Sequence, residues 1–251
     1  MDRLAPTRRP AGPPVMLQSW RELGFLHWEV DAETLGRLLP AQLSLDTFEG
    51  RAFVGLVPFT MHGVRPTWAP ALPLVSRFHE VNVRTYVHLA GRDPGVYFLS
   101  LDAASRLAVV GARTIWRLPY HFARMGMARS PGGLVAYDSE RRWPGPKPAA
   151  CHLLYGPRPD SAPGAATPGS LDHFLAERYI LYTTAPGRLL RGRVHHPPYP
   201  LQAGDCPRLE ETLVAAAGIE PVTGPPLVHY ASGVDVEVFG LEPIEAWSPA
   251  S

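Results

Sequence analysis

Glu80-Val-Asn-Val-Arg-Thr-Tyr-Val-His-Leu89 holds the residues best suited to chemistry in this chain. The segment alternates strictly. Glu80, Asn82, Arg84, Tyr86 and His88 share one face, and Val81, Val83, Thr85, Val87 and Leu89 share the other. A period of two predicts a strand between an apolar layer and a polar space. A carboxylate facing a partly apolar cavity has a raised pKa and moves protons near neutral pH. The alternative is that Glu80 pairs with Arg84, two steps along the same face. Arg84 and Arg113 each offer a planar guanidinium fork that fits a carboxylate or an enolate. For Arg113 a structural salt bridge is the competing reading. Tyr120 can donate to an oxyanion and His121 titrates near neutrality. With Glu80 they make an acid–base set for enolisation, dehydration or cyclisation. Against this stands the reading of Tyr120 and His121 as pocket or core residues of a non-catalytic binder.

Other reactive types are less well arranged. His195 and His196 are adjacent, so in a strand they point to opposite faces and do not share one metal. His27, His79 or His121 would have to join them in space, since no His-Glu-x-x-His spacing is present. A loop-fixing role fits better, and neither a metal nor a cofactor is expected. Ser100 and Ser232 do not sit in a nucleophile elbow, and no glycine-rich phosphate loop stands out. Lys147 is the only lysine, against 23 arginines. It lies in Trp143-Pro-Gly-Pro-Lys-Pro148, which reads as a loop, whereas a catalytic amine needs a desolvated pocket.

The elements that must carry these residues are mostly short strands. Asp31 caps a helix through Leu39, stopped by Pro40. Strands are predicted at Leu43 to Thr47 and Ala52 to Met61, around the turn Phe48-Glu-Gly-Arg51. Arg65 to Pro73 reads as an irregular loop. After Glu80 to Leu89, Gly91-Arg-Asp-Pro94 turns the chain into a strand from Val96 to Leu101. Asp102 then caps a helix from Ala103 to Trp116, ended by Pro119. Strands follow at Phe122 to Ala128, Leu134 to Arg141 and His152 to Tyr155, then a surface loop over Arg158 to Gly169. Ser170 caps a short helix over Leu171 to Glu177. Strands are predicted at Tyr179 to Thr184, Leu189 to Val194, Leu227 to Ala231 and Val234 to Phe239, and a helix over Pro207 to Ala217. This pattern predicts a mainly β, α+β architecture of curved sheets.

The 251 residues suffice for one sizeable core, read here as a single domain over 16–251 behind a disordered N-terminal tail, 1–15. A net charge of +1 without basic clusters argues against nucleic acid as a partner, and no apolar run reaches membrane-spanning length. The tail lacks the apolar segment of a secretory signal. Cys151 and Cys206 lie far apart without metal spacing. A reduced, cytoplasmic protein is the expectation.

Longer motifs carry a resemblance. Phe25-Leu-His-Trp28, Leu45-Asp-Thr-Phe48, Val57-Pro-Phe59, Glu80 to Val87, Phe98-Leu-Ser-Leu-Asp-Ala103 and His195-His-Pro-Pro-Tyr-Pro-Leu-Gln202 resemble the YqjF-like family (domain of unknown function 2071). That family is a bacterial branch grouped with the acetoacetate decarboxylase-like superfamily. The stretch Ala112 to Met125 resembles the decarboxylase active-site segment, Gly-Arg-Glu-x-x-Gly-Tyr/Phe-Pro-Lys-Lys. Arg113, Trp116 and Pro119 stay in step with it. Thr114 replaces the Glu, while Tyr120 and His121 replace the two lysines. An imine needs a primary amine, so the resemblance implies the scaffold without its Schiff-base chemistry. It further implies a barrel-like β fold with a central cavity and a few peripheral helices, a cavity glutamate at Glu80, and relatives that assemble into oligomers. The expectation is a cofactor-independent acid–base enzyme of lyase or isomerase type acting on a small carbonyl or keto-acid compound. Its catalytic residues would be Glu80, Tyr120 and His121, with Arg84, Arg113, Asn82 and Trp116 binding substrate. The alternative is a non-catalytic small-molecule-binding module on the same scaffold.

Overall fold

Long alternating segments become long strands that wrap around a shared interior. The computed structural model describes residues 1–72, 76–186, 188–220, 222 and 224–244. Among these, the strands are β1 (Met16–Val30), β2 (Ser44–Leu45), β3 (Ala52–Pro66), β4 (Phe78–Leu89), β5 (Arg92–Ala103), β6 (Tyr120–Arg129), β7 (Val135–Trp143), β8 (Ala150–Pro157), β9 (Ile180–Ala185), β10 (Arg188–His195), β11 (Leu201–Glu211), β12 (Leu227–Val238) and β13 (Glu242–Pro243). The helices are short: α1 (Ala32–Gly36), α2 (Arg106–Thr114), α3 (Leu171–Ala176) and α4 (Leu213–Ala216).

All the strands join one sheet in the order β13-β10-β9-β5-β6-β7-β8-β11-β12-β1-β3-β4-β2. A β4–β5 pairing closes most of it into a ring, and a β10–β12 pairing ties the far end back. Such closure removes open edges from the strands that carry the interior. Most pairings are antiparallel, whereas β5 runs parallel to both β6 and β9. The crossover through α2 is what allows the β5–β6 pairing.

Strand β4 is buried on both faces. Val81 and Val83 pack with Leu26, Val54, Leu56 and Tyr137 in one core. Phe78 joins Phe25, Phe59, Met61 and Tyr120 in another, on the side of Glu80, Asn82 and Arg84. The alternation predicted for this segment therefore sorts its side chains between a closed apolar layer and an interior space.

Several local expectations give way to pairing. Asp102 does not cap a helix. It lies in β5, and its carboxylate takes the Arg141 guanidinium through Nε at 2.9 Å and Nη2 at 2.6 Å, with both side chains almost fully buried. The cap of α2 is Ser105, whose hydroxyl accepts from Ala108 N at 3.2 Å. Pro207 to Glu211 is strand rather than helix, because β8 offers an edge that pairs Arg208 with Leu154 and Glu211 with Cys151. Only Leu213–Ala216 is helical. The two strands expected across Ser232-Gly233 are one, β12. Gly233 takes φ +149° there, and a Cβ would fall 2.3 Å from Trp20 O. The strand expected over Leu43 to Thr47 shrinks to Ser44–Leu45.

The N-terminal segment, expected as a disordered tail, makes definite contacts. Ala5–Thr7 forms a 3-10 turn, Arg3 pairs with the buried Asp46, and Arg9 pairs with Glu237. Cys151 and Cys206 are free thiols.

The Asp102–Arg141 pair makes a stability prediction. Removing one charge of a buried pair strands the other, at a cost of about 3–5 kcal/mol. Asp102→Asn is expected to lower unfolding stability by that amount in urea titration. A change below about 1 kcal/mol would contradict the burial of this pair.

Candidate active site

Glu80, Asn82 and Arg84 project from β4 into a cavity of about 360 Å3. Register fixes the walls. On β3, Met61 faces Phe78, Phe59 faces Glu80, Val57 faces Asn82 and Gly55 faces Arg84. On β5, Leu101 lies beside Asn82 and Phe98 beside Arg84. Tyr120 enters from the start of β6, one strand further round. Ala108, Ala112 and Trp116 close the side on and just after α2.

The acid centre is a pair. The Tyr120 hydroxyl donates to Glu80 Oε2 at 2.6 Å. Glu80 is only 2 % exposed. Burial pushes its carboxyl up to about 8, against the smaller opposing effects of the Tyr120 hydroxyl and the Asn82 amide. Tyr120 is held well above its ordinary range, first by burial and then by the Glu80 charge. Glu80 thus keeps its proton at neutral pH and can give it up near pH 8. Tyr120→Phe removes a donor that favours the charged carboxylate. A carbon NMR titration is expected to place the Glu80 midpoint higher in this variant than in wild type; an unchanged or lower midpoint would contradict the hydrogen bond.

Arg84 lies at the closed end, 8 % exposed. Its Nη2 donates to Leu175 O at 3.1 Å, while its Nε has no hydrogen-bond partner. It makes no ion pair with Glu80 or with any other described carboxylate. The same Leu175 carbonyl accepts from Tyr86, whose hydroxyl lies 2.7 Å from His27 Nε2. The His27 ring passes over Gly55, where a Cβ would fall 2.9 Å from it. A glycine is required at that close approach.

Two expected residues stand elsewhere. His121 follows Tyr120 on β6 and therefore faces the other way. Its Nδ1 donates to Pro144 O at 2.9 Å, on the side of Asp102 and Arg141. Burial and then Arg141 lower its pKa. Arg113 is exposed. Its Nη1 donates to the Tyr120 carbonyl at 2.7 Å and its guanidinium covers Trp143, so it touches the backbone of the site and not the cavity. Asn82 and Trp116 do line the cavity.

Two further lining residues were not anticipated. Arg178 pairs with buried Asp46 at 2.8 Å and leaves Nη2 unpartnered. Nothing in its local sequence marks it. Tyr199 belongs to His195-His-Pro-Pro-Tyr-Pro, and its backbone N donates to Glu177 at 2.9 Å. The length of that motif was a usable signal, but it drew attention to the histidines. His196 is buried, stacked on Tyr179 at 4.4 Å, with Nδ1 donating to Pro197 O. Burial lowers it to about 4. His27 and His79 are engaged separately, His79 with the Thr60 hydroxyl at 2.8 Å. Among the described residues no group of three or more His, Cys, Asp or Glu could hold a metal ion, and no helix is long and apolar enough to cross a membrane.

Residues 17–235 match the model of the DUF2071 family, described as an uncharacterized conserved protein. The chain belongs to this family. This DUF2071 chain is also 41% identical over 239 residues to the uncharacterized protein YqjF of Bacillus subtilis (strain 168), covering 95% of each. Solved structures extend the likeness at the level of fold. The enduracididine biosynthesis enzyme MppR, complexed with the condensation product of pyruvate and imidazole 4-carboxaldehyde, superposes with a TM-score of 0.63 at 15% identity, covering 94% of this chain and 92% of that one. An acetoacetate decarboxylase-like enzyme from Sphingomonas wittichii RW1 gives 0.61 at 14%, covering 94% and 95%. The acetoacetate decarboxylase of Legionella pneumophila gives 0.62 at 14%, covering 94% and 88%. The DUF2071 chain shares the acetoacetate decarboxylase-like fold, and its ring-like sheet encloses a cavity in the manner expected from the motifs.

Proposed function

We propose that this protein is a cofactor-independent acid–base enzyme acting on a carbonyl compound that carries a carboxylate. The Glu80–Tyr120 pair carries the proposal, because it is a buried carboxyl with a pKa near 8 and a phenol donor 2.6 Å away, both facing an interior cavity. Glu80 removes or returns a proton at the carbon beside the carbonyl, and Tyr120 turns its hydroxyl to the developing enolate oxygen. Arg84 holds the anionic group with the Nε that has no partner in the protein. Arg113 and His121 take no direct part.

Imine chemistry is not part of this reading. Lys147 is exposed in the loop between β7 and β8 and is absent from the cavity lining. The solved relatives that bind pyruvate or its condensation product support a keto-acid-sized guest.

The test is solvent exchange. A panel of keto acids is incubated with the protein in D2O, and loss of the signal for protons beside the carbonyl is followed by NMR. Exchange is expected with wild type, rising with pH to about 8 as Glu80 ionises. Binding to wild type without exchange or any product would favour the non-catalytic binding module, which the missing lysine pair also fits.

A further inference from the structure

Exposure along the cavity lining is low around Glu80 and highest at the start of β1, the end of β3 and just past α2. Arg84, Asn82 and Glu80 are buried at 8 %, 4 % and 2 % exposure. Phe59, Met61 and Phe78 follow, still buried but wholly apolar. Beyond them the lining is half-buried: Trp20 pairs with Met61, and Met16 pairs with Pro66. Ile115, just past α2, is 71 % exposed. The cavity therefore opens at the start of β1 and the end of β3, and closes at Arg84.

Its chemistry divides along the same axis. The closed end holds a buried cation with an unpaired Nε, and the Nη2 of Arg178 is likewise unpartnered. A buried guanidinium without a carboxylate is costly unless an anion joins it. The stretch from Phe78 outward offers no charge to a guest: it is ring, thioether and aliphatic surface with one amide, Gln18, whose oxygen accepts from Trp20 Nε1 at 2.9 Å. A small polar keto acid would satisfy the inner end and leave that surface in contact with water. Arg84 and Glu80 are four residues apart on one strand, roughly 13 Å between Cα atoms, so a guest reaching both already extends along the axis.

We infer that the cavity takes an apolar-tailed monocarboxylate, its head on Arg84 and its tail running past Glu80 and Tyr120 along Phe78, Met61 and Trp20. At about 30 Å3 per water-sized group, the cavity holds roughly a dozen non-hydrogen atoms. The inference names the substrate class of the acid–base site and so rests on that site being the guest's location. It predicts preference for medium-length acids over short ones such as pyruvate.

Calorimetric titration with straight-chain carboxylates from butanoate to tetradecanoate tests it without turnover. The dissociation constant is expected to fall about three- to fourfold per added methylene, then level off near ten to twelve carbons when the cavity is full. Decan-1-ol is expected to bind at least tenfold more weakly than decanoate, and Arg84→Met to erase that preference while keeping the length dependence. Equal affinity for butanoate and decanoate, equal affinity for decanol and decanoate, or no binding across the series would each overturn the inference. The two readings fail separately. A flat series leaves the exchange test untouched, and a Glu80→Gln variant that still exchanges protons leaves the series untouched.

Discussion

Glu80→Gln is expected to lose proton exchange by about 10²–10⁴-fold while making the fold more stable in alkali. The first effect is the usual worth of a positioned acid–base group. The second comes from linkage. Folding raises the Glu80 carboxyl from 4.5 to about 8. Above pH 4.5 the unfolded chain gives up this proton while the folded chain keeps it. Wild-type stability therefore declines between pH 4.5 and about 8 and is flat beyond, at a total cost on the order of 5 kcal/mol. Glutamine has no proton to lose, and its amide oxygen can still accept from Tyr120. Calorimetry at pH 9 should show the variant melting higher than wild type, with the gap closing toward pH 4.5. A variant that is less stable at pH 9, or that exchanges at the wild-type rate, would contradict the placement of a costly neutral acid here.

Arg84→Met should likewise separate binding from stability. The guanidinium makes one hydrogen bond, to Leu175 O, and leaves Nε unpaired. Replacing it with a thioether of similar length gives up that bond but ends the burial of an uncompensated charge. The ligand-free protein is expected to gain about 1–3 kcal/mol. Affinity for decanoate should drop roughly 30- to 1,000-fold, the usual loss when one member of a buried charged contact is truncated. Arg178 is the internal contrast, since Asp46 already compensates it. If Arg84→Met binds decanoate as wild type does, the anionic head sits elsewhere.

The parts of the fold that could be read from sequence are those governed by side-chain period. Glu80 to Leu89 alternates because both of its faces are used, and it appears as β4 with Glu80, Asn82 and Arg84 lining the cavity. Asp31 and Ser170 cap helices as expected, because a cap depends on its own neighbours. Asp102 looked like a cap for the same local reason, and a partner 39 residues away claimed it. Pro207 to Glu211 lost its helix to the edge of β8, which no local pattern reveals. At the site, Tyr120 and Glu80 lie 40 residues apart in the chain and are brought together by the β4–β5–β6 pairing. His121 was misplaced although its parity with Tyr120 already put the two on opposite faces. Arg178 stayed hidden because a buried arginine has the same letter as an exposed one.

That parity has an evolutionary side. Leu101 pairs with Tyr120 and Asp102 with His121 across β5 and β6, and the lead-in to β6 is pinned at Arg117, which sits at φ 55° with its carbonyl accepting from Thr183. Slipping the strand by one residue would carry an imidazole inward and a phenol outward. Gain or loss of a single codon between α2 and β6 would thus exchange the side chain that faces the cavity and turn the rest of β6 over with it. On this ring the length of one connection sets which side chain of β6 stands beside Glu80.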